Sequence, residues 1–157
     1  MVLSLNFEGL FIMPVGVPEQ LQVSGAERTT FYQEVEQVAR AFGMSIKPDA
    51  FPEAGYYYRS DHFSLARVGV PAFSVSSGNK FVGHDESWGD AQAKDYVAHR
   101  YHQPSDEYHP EMDFRANARI AQVAFVLGWR AAQPSLRIDS LPGDEFEKAR
   151  KRSQQAP

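Results

Sequence analysis

Cysteine is absent from all 157 residues, which excludes disulfide scaffolds, cysteine zinc sites, iron–sulfur ligation and thiol nucleophiles together. Any metal must be held by His and carboxylate. Long apolar runs are missing as well, since Gly9 to Pro18 and Ile120 to Trp129 are each only ten residues, against the roughly 20 of a transmembrane helix. A soluble chain with no membrane partner is expected. Positive charge is not in excess: 16 Lys and Arg face 20 Asp and Glu, a net charge of −4, so no nucleic-acid partner is expected. Neither glycine-rich phosphate loop nor a Gly-x-Ser-x-Gly elbow occurs. The first residues lack a basic segment and a small-residue cleavage site, so no signal peptide is read and the compartment stays open.

What is present fits one domain, at 43% hydrophobic and 23% charged, both close to the globular average. Val2 to Phe7 and Gln20 to Val23 read as strands, and Phe11 to Val17 is apolar but broken by Pro14 and Gly16. Ser24 and Glu27 have the spacing of a capping box, before Phe31, Val35, Val38 and Phe42 repeat at helical spacing up to Gly43. Ile46 to Tyr58 reads as a loop with a short extended piece near Ser45 to Lys47. Ser60 is placed to cap a short helix ending at Gly69, and Val70 to Ser76 is a buried strand. Residues 79–113 read as polar and irregular. With Asp113 as N-cap, Ala118, Ile120, Ala121, Ala124, Leu127, Gly128 and Ala131 mark a long helix, with Phe125 and Trp129 widening its apolar face. After Pro134, nine of the last 21 residues are charged, which reads as a surface helix or a frayed tail. The alternation predicts an α/β fold, helices on a sheet.

Two stretches carry residue types that do chemistry. Ser60, Asp61 and His62 are the three types of a hydrolytic triad, but sequence neighbours point in different directions and cannot form one. Capping by Ser60 or Asp61 with a packed or exposed His62 is the plain alternative, and an acid acting through a neighbour is the other. From His84 to His109, four of the five histidines and six carboxylates fall within 26 residues, a donor set suited to a divalent ion or to an ordinary polar loop. His102 is the best candidate there, because the Pro-Ser-Asp turn after it puts Asp106 in reach of its ring as an orienting carboxylate. The many tyrosines and phenylalanines between these loops suit either an apolar pocket or plain packing.

The run Gly55-Tyr-Tyr-Tyr-Arg-Ser-Asp-His-Phe-Ser-Leu-Ala-Arg-Val-Gly-Val-Pro-Ala-Phe73, followed by Tyr101-His-Gln-Pro-Ser-Asp-Glu-Tyr108 and a terminal apolar helix, resembles the C-terminal half of the zinc aminopeptidases of metallopeptidase family twenty-eight. Trp88-Gly89 and Pro142-Gly-Asp-Glu-Phe146 resemble one branch of it. The resemblance implies part of the zinc-exopeptidase (phosphorylase/hydrolase-like) fold: a partial, mixed, mainly parallel sheet flanked by helices. It implies a catalytic portion over 1–136 and a polar charged tail over 137–157. It also implies a two-zinc centre that hydrolyses N-terminal peptide bonds in the complete enzyme, with His102 as a metal ligand, Asp61 as an acid beside the general base and Tyr57 near the substrate carbonyl. Glu8 stands where the family's Asp ligand falls, one methylene longer.

The family's other ligands and its glutamate base have no counterpart here, so one zinc ion or none and little activity are expected of this chain alone. It then reads as the end of something longer, with an upstream partner chain or a homodimer completing it. Family members are often exported. The alternative is a non-catalytic binding or assembly module, using the surface that a halved sheet leaves open.

Overall fold

The computed structural model describes residues 1–7, 16–47 and 55–155. Glu8, most of the apolar stretch Phe11 to Val17 and residues 48–54 of the expected loop lie outside them. At the centre is the strand Ala72–Ser77, whose alternation puts Phe73 and Val75 on one face and Ala72 on the other. In chain order the strands are β1 (Ser4–Asn6), β2 (Gln20–Ser24), β3 (Ser45–Lys47) and this β4. They lie in the order β1-β4-β2-β3. β1 pairs parallel with β4 and β2 with β3, whereas β2 and β4 are antiparallel, with Val23 opposite Val75. The sheet is therefore mixed and mostly parallel within an α/β fold, as expected. Both edges are strands of three residues among those described, and short edges blunt pairing with other chains.

The helices are α1 (Tyr32–Ala41), α2 (Tyr56–Arg59), α3 (His62–Arg67), α4 (Glu86–His99), α5 (Arg115–Ala131) and α6 (Glu147–Gln155). α1 and α5 cover the face carrying Leu21, Val23, Phe73 and Val75, enclosing Phe31, Val35, Val38, Ile120, Val123 and Leu127. Each large side chain buried there contributes roughly 1.5–3 kcal/mol. α2 and α3 lie on the opposite face beside Ala72. Beyond them that face presents Gln22, Ser24, Ser74 and Ser76, all half-buried, so the open side of the sheet is polar rather than the apolar face expected of a halved sheet.

Several local readings change. The Ser24–Glu27 pair caps no helix: Glu27 accepts from the Gly25 N–H, a single 3-10 turn runs over Ala26–Arg28, and α1 starts at Tyr32. Residues 86–99, read as irregular, form α4, started by Asp85 accepting from the Trp88 N–H at 2.9 Å. Gly89 lets α4 sit directly on the backbone at Asn79, where an added Cβ would fall 1.7 Å from the carbonyl oxygen. After 136 the surface helix of the two readings is the one present, α6, with none of its residues buried, while Ile138 ahead of it enters the core and Arg150 bonds Asp139, the Ile138 carbonyl and the Gly69 carbonyl. No helix among the described residues is long and apolar enough to cross a membrane.

Candidate functional site

Gly25 ends β2 with φ +98, and an added Cβ would lie 2.2 Å from the ring of Tyr57. Only glycine lets the backbone turn there and admits that ring. Tyr57, on α2, is buried and donates its hydroxyl to the Ala72 carbonyl at 3.1 Å. His62, only 2% exposed, sits edge-on to it with ring centroids 4.7 Å apart. On the far side of the imidazole, the Asn6 amide of β1 lies 3.3 Å from Nδ1. The two buried rings are thus held by β1, β4 and the turn after β2.

Arg28 closes this corner from outside. Its guanidinium lies 4.9 Å from the centre of the Tyr57 ring and 5.3 Å from that of Phe146, a cation–π arrangement. It pairs with Glu145 at 2.6 Å and Asp144 at 3.4 Å, and Tyr58 also donates to Glu145. Burial works against the charge of Arg28, but Glu145, Tyr58 and Asp144 outweigh it and hold the guanidinium above its ordinary range. The Tyr58 hydrogen bond, with Arg28, pulls the Glu145 carboxyl below its usual value. Burial pushes the Tyr57 hydroxyl up to about 12, so it stays protonated and acts as a donor. Because that proton goes to the Ala72 carbonyl, Tyr57 braces the corner.

The remaining candidates are placed elsewhere. Asp61 is exposed, immediately before α3, and caps it with no side-chain hydrogen bond. His102 lies in the exposed segment 101–108, with φ +58 and its ring stacked on Tyr101 at 3.9 Å. That φ lies in the left-handed region, which His enters more often than most side chains. Asp106 does not back the His102 ring. It accepts from Tyr96 of α4 at 3.0 Å, and burial together with this bond pushes the Tyr96 hydroxyl up to about 12. Glu8 falls outside the described residues. Among the described residues no three His, Asp or Glu come together to hold a metal, so they do not by themselves fit a zinc centre.

The residues that sequence reading missed are Arg28 and Asn6, and of the two readings offered for His62, packed or exposed, the structure has the packed one. For His62 a signal existed, since it falls four residues before the small Ala66 and one helical face buries both.

The fold and the motif-bearing loops define an α/β domain of metallopeptidase type. Residues 1–127 match the family model of Peptidase family M28, and the chain belongs to that family. The matched range contains both motifs, Gly55–Phe73 and Tyr101–Tyr108. No curated protein and no solved structure matches the chain.

Proposed function

We propose that this chain forms part of the catalytic domain of a zinc-dependent aminopeptidase and that it hydrolyses no peptide on its own. The observation that carries the second half is the scattering of its donors: His102 stands on an exposed loop, Asp61 at the start of α3, and among the described residues no three donors converge. Two isolated ligands bind zinc weakly. Peptide-bond hydrolysis on this reading needs donors and a base beyond the described residues, from an upstream partner chain. Its peptide specificity belongs to that complete enzyme.

The test is elemental analysis of protein purified with zinc, beside turnover of aminoacyl anilides with and without chelator. Less than one zinc per chain and no turnover are expected. Chelator-sensitive turnover by the chain alone would overturn the inactivity. Stoichiometric zinc that is lost in His102→Ala would assign His102 as a ligand and show that a site forms without a partner.

A non-catalytic assembly module is the second reading, and one observation favours it: the outer face of α5 presents Phe125 and Trp129 to solvent. Monomeric domains seldom expose such surface without use.

A further inference from the structure

α5 is apolar on two opposite sides. Ala116, Ile120, Val123, Leu127 and Ala131 are buried, toward the sheet and α1. Ala118, Ala121, Phe125, Trp129 and Ala132 are exposed, and the helical repeat carries them half a turn away from the first set. Phe125 is 74% exposed and Trp129 61%, so the two rings that were expected to widen the inner face form an outer one. A helix apolar on both sides is one that is covered on both sides. The charged residues of α5 stay off this stripe: Arg115 pairs with Asp113, Arg130 with Glu34, and Arg119 bonds the Phe42 carbonyl. Beside Phe125 runs an open groove of about 460 Å³, lined by Phe42, Ala121, Gln122 and Val126.

We propose that this stripe is the interface of a two-fold homodimer, in which α5 packs antiparallel on its copy with the axis at Phe125. The order of residues is its own complement about that point. Trp129 comes opposite Ala121 of the partner subunit and Gln122 opposite Gly128, so these larger side chains meet small ones, while Phe125 meets its own copy at the axis and Ala132 meets Ala118 toward the ends. An isologous contact demands this matching, because one patch must fit itself. A different occupant would impose no such symmetry. At these exposures the four rings bury on the order of 600 Å², enough for the dry centre of an interface of about 1,600 Å². The interface holds whether or not the chain hydrolyses peptides.

Sedimentation equilibrium of the 17.7 kDa chain tests it. A species of twice that mass is expected, and Phe125→Glu and Ala121→Glu are each expected to weaken association at least about thirtyfold. Both sites are exposed, so the circular dichroism of each variant should stay that of the parent. The chain has no cysteine, so Phe125→Cys introduces a lone thiol at the axis. Packed helices bring facing Cα atoms within disulfide reach there, and oxidation should cross-link this variant at least about tenfold faster than Glu111→Cys, off the stripe. A monomer at every concentration overturns the proposal and leaves the face to another chain, such as an upstream peptidase segment. A dimer indifferent to both glutamates, or cross-linking no faster than the control, overturns it equally.

Discussion

Two parts of the molecule carry the family's motifs, and they are built in opposite ways. The Tyr57 corner is closed on every side by this chain's own groups: Gly25 beneath the ring, His62 at its edge, Arg28 above, and Asp144 to Phe146 brought back from the far end of the sequence. The His102 loop is fixed at its root by Tyr96 and Asp106 but exposed along residues 101–108. A group that is to grip a ligand must be held by its surroundings. The first motif is held that way within one chain and the second is not, so the same family signature marks a structural joint in one place and an uncovered loop in the other.

The sharpest way to break that contrast is Gly25→Ala, which drives a methyl into the Tyr57 ring at a positive φ. Strain and overpacking together should cost about 2–4 kcal/mol, read as a lowered urea midpoint with an unchanged slope. Next comes Arg28→Met, which keeps the stem of the side chain but leaves Asp144, whose side chain is only 8% exposed, without its cation and with the Phe146 N–H as its remaining donor. A loss of about 2 kcal/mol is expected. If Arg28→Met were neutral in thermal unfolding, the corner would owe its closure to the aromatic rings alone.

Acid sharpens the same point more gently. The folded-state pKa of Glu145 lies below its ordinary 4.5, so its stabilisation is complete above that value and is lost as pH falls through the lower, folded value. Glu145→Gln should therefore be less stable than the parent at pH 7, and the two should converge as pH drops below about 4.5. Urea midpoints across that range check it. The smallest effect belongs to the open loop: His102→Ala should change stability by no more than about 0.5 kcal/mol. A larger loss would mean that the loop is bound into the fold after all.

Much of the frame could be read from the chain. The strand readings over Val2 to Phe7, Gln20 to Val23 and Val70 to Ser76 match β1, β2 and β4, and apolar spacing announced α1 and α5, although Ala118 and Ala121, counted with the inner face, stand on the outer one. α4 escaped because it buries little beyond Gly89 and Tyr96, so no apolar stripe marks it, and its start rests on one Asp85 hydrogen bond. The outer stripe of α5 was visible as Phe125 and Trp129 but was assigned to the core, since spacing does not say which side of a helix the sheet occupies. For the candidate site, the motifs pointed to Tyr57, Asp61 and His102 without saying which would be buried. Arg28 was hidden for a plainer reason. It bonds Glu145 across 117 residues of sequence, and no local pattern joins positions so far apart.

Arg150, one helical turn on from Phe146, makes the same kind of reach, touching the carbonyls of Met1, Gly69 and Ile138 from one guanidinium. In order of synthesis this is among the last contacts that can exist. β1 and β4 can pair once residue 77 has been made, whereas Arg150 cannot join the start of the chain to the turn before β4 until nearly all the rest is present. Domains fold as their parts emerge. In this one, the brace over the Tyr57 corner and the clasp on Met1 both depend on residues 144–150, so a chain released before residue 144 would hold its sheet without either fastening.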